Sequence, residues 1–109
     1  MEKEYKVFWT KSAVSDFENI VEYIAKNSPL TAKTIFTKIK KQIETLSLSP
    51  RRGRYIPELQ QQGILLYREL LSPPWRIMYR IYEKKVYILA IIDSRRNVED
   101  ILFQKLIKK

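Results

Sequence analysis

Arginine is the side chain through which this sequence offers chemistry. Arg68, Arg76, Arg80, Arg95 and Arg96 all fall in the C-terminal half, in or beside alternating apolar stretches. A guanidinium presents five donors in a planar fork and stays charged, so it suits phosphate or carboxylate recognition. The wider balance agrees: 21 Lys and Arg against 12 Asp and Glu give a net charge of +9, a field that draws nucleic acid or an acidic protein partner. Gripping an anion is not the same as cutting one. Cleavage of RNA by internal attack needs a base, an acid and positive charge on the phosphorane. Arginine supplies the charge but, with a pKa above about 12, not the base. The 109 residues contain no histidine and no cysteine. That removes the usual acid–base group near neutrality, thiolate nucleophiles, disulfides and the commonest metal ligand. There is no metal constellation, nucleophile elbow or phosphate-binding glycine loop, so no metal and no cofactor are expected. Tyr79, Tyr82, Tyr87, Glu69 and Asp93 remain as conceivable proton carriers.

The length and the 45% hydrophobic, 30% charged composition describe a single globular domain over residues 1–109. The N-terminal M-E-K-E-Y-K-V-F-W has no apolar signal core and no apolar run approaches a membrane span, so the cytoplasm is the expected location, with no membrane partner. Tyr5, Val7 and Trp9 alternate as one face of a strand. Thr10 can cap a helix from Lys11 to about Asn27, whose apolar stripe is Ala13, Phe17, Ile20, Val21 and Ile24. Ser28-Pro29 starts a second helix to about Leu46, and so short a break predicts an antiparallel helical hairpin. The lysines of its polar face, Lys38, Lys40 and Lys41, read as solvated. Residues 47–63 read as a loop rich in arginine, followed by three strands: Ile64–Leu71, Trp75–Tyr82 and Lys85–Asp93. A two-residue turn at Glu83-Lys84 sets Tyr82 opposite Lys85 and Arg80 opposite Tyr87. One face then carries Ile77, Tyr79, Ile81, Val86, Ile88, Ala90 and Ile92 as core; the other carries Arg76, Met78, Arg80, Tyr82, Tyr87, Leu89, Ile91 and Asp93. That second face is too apolar for water alone, so something must cover it. Asn97 caps a last amphipathic helix to about Ile107. The expected class is α+β: an N-terminal strand, a helical hairpin packed on a mostly antiparallel sheet of about four strands, and a C-terminal helix.

Five segments carry a more specific signal in their order: S-P-L-T-A (Ser28–Ala32), P-R-R-G-R-Y-I-P-E-L (Pro50–Leu59), Y-R-E-L (Tyr67–Leu70), W-R-I-M-Y-R-I (Trp75–Ile81) and I-L-A-I-I-D-S-R-R (Ile88–Arg96). Together they resemble the ParE branch of the RelE/ParE toxin superfamily over nearly the whole chain. The resemblance implies a toxin neutralised by a cognate antitoxin, expected to be acidic. It also implies one of two actions: poisoning of DNA gyrase, as ParE-like members do, or cleavage of mRNA on the ribosome, as RelE-like members do. An inactive module that only captures antitoxin is a third possibility. Arg68 and Arg76 occupy the family's usual basic positions, and for a nuclease the set would be Arg68, Arg76, Arg95 and Arg96. The proton-transfer residues of RelE-like nucleases have no match. Leu70 stands where some have lysine, Ile101, Leu102 and Phe103 where some have tyrosine, and Asp93-Ser94 where many have histidine. The chain closes on L-I-K-K rather than a His-Tyr pair.

The departures favour a binding surface over an RNA-cutting site. Target or anion binding is expected at Arg68, Arg76, Arg80, Arg95 and Arg96. Arg68 has two readings: an anion contact, or a brace paired with Glu69 or Glu58. Trp75 and the tyrosines more often pack than stack on bases. The apolar outer face around Met78, Tyr87, Leu89 and Ile91 is the expected seat of the antitoxin.

Overall fold

Hydroxyl caps begin both helices of a hairpin in the computed structural model, which describes residues 4–107. Thr10 follows strand β1 (Lys6–Trp9), and its Oγ1 accepts the Ala13 amide at 3.2 Å to begin α1 (Lys11–Ala25). The same hydroxyl donates to the Ile88 carbonyl at 2.9 Å, which ties the helix start to the sheet. Ser28 Oγ accepts the Thr31 amide, and Pro29 opens α2 (Pro29–Glu44) where its missing N–H costs nothing. Phe17 stacks on Phe36 at 5.1 Å between centroids and locks the two helices together.

The remaining elements are β2 (Arg54–Tyr55), α3 (Pro57–Gln60), β3 (Tyr67–Ser72), β4 (Trp75–Tyr82), β5 (Lys85–Asp93) and α4 (Val98–Leu102). A wider helical turn continues α4 over Phe103–Ile107. The sheet has five strands in the order β1-β5-β4-β3-β2. Only the β1–β5 pair is parallel; the others are antiparallel. The fifth strand, β2, has two residues and lay inside the expected loop. The strand expected from Ile64 begins instead at Tyr67, because the Ile64 amide is spent on the Leu59 carbonyl in the turn that ends α3. Gly63 sits in that turn at φ +80°, a left-handed conformation that favours glycine. The Pro73–Pro74 bond is cis.

The hairpin covers one sheet face. Its core holds Ala13, Phe17, Ile39, Ile43 and Leu46 against Leu70, Ile77, Tyr79, Val86, Ile88 and Ile91. The opposite face is covered in part by the chain itself: Ile56 and Leu59 from the α3 region and Val98, Leu102 and Leu106 from the C-terminal segment pack on Met78, Ala90 and Ile92. Asn97 Oδ1 accepts the Asp100 amide and starts α4 as its sequence predicts. Lys105 Nζ then reaches Asp16 at 2.7 Å, joining the C-terminal segment to α1 across the β5 edge that β1 leaves open. Lys108 and Lys109, the end of the L-I-K-K run, lie outside the described residues. Among the described residues no helix is long and apolar enough to cross a membrane.

The face assignment of β5 needs correction beyond Ile88. The β4–β5 register shifts at Met78/Tyr79: Tyr79 pairs with Ile88 and Met78 with Ala90, so Leu89 is an extra residue. A bulge inverts the alternation downstream of it. Ile91 therefore joins the hairpin-side core, whereas Ala90 and Ile92 turn to the other face.

Candidate functional site

Arg76 is the most heavily engaged of the arginines. It lies on β4 opposite Leu71, two positions from the Met78–Glu69 pair, and its side chain is only 10% exposed. Its Nε donates to Glu69 Oε1 at 2.7 Å, and its two terminal nitrogens grip Glu58 at 2.9 and 2.7 Å as a parallel fork. Arg54 Nε donates to Glu69 Oε2 at 2.8 Å from the solvent side. Two arginines and two carboxylates thus close a neutral network, with Glu69 fully enclosed. The hydrogen bonds it donates to Glu58, with those to Glu69, outweigh the opposing cost of burial and hold the Arg76 guanidinium more firmly charged than usual. The Arg76 fork, expected to meet an anion of a target, is filled in this structure by Glu69 and Glu58, the two carboxylates that the sequence offers to Arg68.

The Glu58 carboxyl titrates below its ordinary value of 4.5, chiefly because Arg76 donates to it. A depressed folded pKa stabilises the fold above the unfolded pKa and is lost as pH falls through the folded value. The expected result is a Tm that declines below about pH 4.5. In Glu58→Gln the Tm is lower at pH 7 and the acid decline is shallower; parallel curves for the two proteins would count against this linkage.

Arg68 is a brace of another kind. Its Nη1 donates to the Gly53 carbonyl at 2.7 Å, and its guanidinium lies 4.3 Å from the centre of the Tyr55 ring. Its cross-strand neighbour Tyr79 works on the same loop. The buried Tyr79 hydroxyl accepts the Gly53 amide at 3.0 Å and donates to the Pro50 carbonyl at 2.7 Å. Burial pushes that phenol above its usual pKa, so it stays a neutral donor. The two residues pin the segment carrying Arg51, Arg52 and Arg54. Arg68 thus contacts loop carbonyls and not Glu69 or Glu58.

Arg80 and Arg96 make no ion pair among the described residues. Arg80 stands half-buried between Tyr67 and Tyr87 on the adjacent strands, with Tyr82 5.8 Å away and Leu89 nearby. Phe8 stacks on Tyr87 at 5.6 Å and extends this open apolar area onto β1. Arg95 is exposed and folded back on Asp93 through two hydrogen bonds of 2.9 and 2.6 Å. Those bonds hold the Asp93 carboxyl down at about 2. Arg76 and Arg80 share a sheet face but stand four residues, roughly 13 Å, apart along the strand. The arginines do not converge on one point.

Of the residues expected to seat an antitoxin, Met78 is fully buried under the chain's own C-terminal segment and Ile91 is 4% exposed under the hairpin. Met78 presents no surface and Ile91 faces the hairpin side; Tyr87 and Leu89 are partly open on the outer face. Phe8 was overlooked, although its alternation with Val7 and Trp9 places it on the outer face. Two residues of strand give no periodicity, so the sequence places Arg54 in a loop. Among the described residues no three His, Cys, Asp or Glu side chains converge as a metal site requires.

A helical hairpin on one side of a mixed sheet is a fold this chain shares with solved toxin–antitoxin structures. A structure titled "Chromosomal ParDE TA system from P. aeruginosa" superposes with a TM-score of 0.66 at 24% identity, covering 83% of this chain and 96% of that one. The RelBE2 toxin–antitoxin complex of Mycobacterium tuberculosis gives 0.55 at 19%, covering 85% and 94%. The chain belongs to the ParE toxin family: the family model described as "ParE toxin of type II toxin-antitoxin system, parDE" matches residues 7–98. No curated protein sequence matches the chain significantly.

Proposed function

We propose that this ParE-family toxin arrests growth by binding DNA gyrase, as a poison that performs no chemistry of its own. The observation that carries this reading is the state of Arg76. A nuclease would need that guanidinium free to meet a phosphate, yet two carboxylates fill its fork. No histidine is available to move a proton beside it. A cognate antitoxin with an acidic segment is the proposed partner, drawn by the +9 charge. Its proposed seat is the open sheet area formed by Phe8, Tyr82, Tyr87 and Leu89, with Arg80 as the ionic contact. The site of action proposed is the cytoplasm.

Purified gyrase supplies the test. Supercoiling of relaxed plasmid is expected to fall as the toxin approaches the enzyme's concentration, and mRNA on ribosomes to stay intact. Unchanged supercoiling at a large excess of toxin, with cuts in ribosome-bound mRNA, would establish the nuclease alternative instead. Growth unaffected by strong expression would leave only the antitoxin-capturing module.

A further inference from the structure

A second surface lies on the other side of the sheet. There, α1 and the end of β5 bound an open cleft of about 550 Å³. Ile20, Ile24, Trp75 and Ile91 give it an apolar floor, and Tyr23, Arg95 and Arg96 stand at its rim. Trp75 pairs with Asp93 at one end of the β4–β5 ladder, whereas Arg80 pairs with Tyr87 near the other. Five strand residues, roughly 16 Å, and the thickness of the sheet separate the cleft from the Arg80 surface. Tyr23 is 71% exposed, and Leu30, 77% exposed, projects from the same tip of the helical hairpin. A large side chain left in water at the rim of an apolar cleft, with Leu30 exposed at the same tip, marks a surface made for contact.

The charges around the cleft say what kind of contact. Its lining includes two carboxylates, Asp16 and Asp93. Asp16 is engaged by Lys105 and by the Ile91 amide, and Asp93 by Arg95. These pairs leave the wall close to neutral, with acids present to repel a phosphate chain. Nucleic acid gains little here. Arg96 is the lining cation without an ion pair among the described residues, and it can take one carboxylate. Tryptophan, tyrosine and arginine are also the side chains that dominate protein interfaces. We propose that this cleft is where the toxin engages its protein target, taking a segment that carries a large apolar side chain for the floor and an acidic residue for Arg96. The inference rests on the toxin reading but not on gyrase being the target. It leaves the Arg80 surface on the opposite face to the antitoxin.

Three exposed positions test it in the full chain under an inducible promoter: Tyr23→Ala, Arg96→Glu, and Asn19→Trp, which fills the cleft. Leu66→Ser and Lys33→Glu serve as matched changes outside either surface. Each variant's purified protein is compared by thermal melting with the wild type. The readout is the inducer concentration that halves the growth rate. Folded cleft variants are expected to need at least about tenfold more inducer, as loss of an interface hot spot does. The matched variants are expected to stay within about twofold. Wild-type potency in the folded cleft variants, or equal loss in both sets, overturns the cleft assignment while the toxin reading stands. A wild-type chain that fails to slow growth overturns the toxin reading and the assignment with it.

Discussion

Glu69→Ala is expected to lower the unfolding free energy by about 3–5 kcal/mol, the range for removing one partner of a buried ion pair. Glu69 is fully enclosed and receives Arg76 on one oxygen and Arg54 on the other. Without it, Arg76 keeps Glu58 but loses the acceptor for its Nε deep in the sheet. Glu69→Gln keeps the shape and one acceptor, so it should lose less. The reference that isolates the charge is the double change Glu69→Leu with Arg76→Met, which deletes both buried ions and should recover much of the loss. Urea denaturation of the four proteins measures this. A loss under about 1 kcal/mol for Glu69→Ala would mean that the network is solvated and contributes no more than a surface pair.

Gly53→Ala is expected to be comparably damaging for a steric reason. A Cβ at this position would stand 2.5 Å from the Tyr79 hydroxyl and 2.6 Å from the Glu69 carbonyl oxygen. The first contact is also the acceptor of the Gly53 amide, so relieving the clash breaks a buried hydrogen bond. Overpacking and a stranded buried donor each cost about 1–3 kcal/mol. Combining Gly53→Ala with Tyr79→Phe should not restore stability, because the backbone oxygen of Glu69 cannot withdraw and the Pro50 carbonyl loses its donor. A double variant as stable as the wild type would show that the loop moves freely and that Tyr79 does not anchor it.

Much of this was legible in the chain. Ser28-Pro29, Thr10 and Asn97 each announce a helix start through a local hydrogen bond, so the hairpin and the last helix follow from residues close in sequence. The Tyr82–Lys85 and Arg80–Tyr87 pairs follow likewise from a two-residue turn. What failed had non-local causes. No pattern in I-L-A-I-I-D distinguishes a regular strand from one carrying an extra residue at Leu89, since every position is apolar until Asp93. That one residue moved Ile91 inside and brought Ala90 and Ile92 to the outer face. The state of Arg76 was hidden for a related reason. Its partners lie 7 and 18 residues away on different elements, and nothing in W-R-I shows which carboxylates will meet it. The likeness to toxins indicated where arginines stand in the chain; whether each is free or filled is decided by packing.

The parallel pairing of β1 with β5 bears on how the protein is made. Thr10 meets its sheet partner Ile88 across 78 residues of chain, so the first strand leaves the ribosome long before the strand it joins. Until β5 is synthesised, Tyr5, Val7 and Trp9 have no ladder to enter, and the hairpin lacks half of its floor. Closing so long a loop delays completion of the sheet and favours slow folding. A product truncated before Lys85 cannot assemble the sheet that carries its arginines. Both surfaces of the finished sheet therefore await a nearly complete polypeptide.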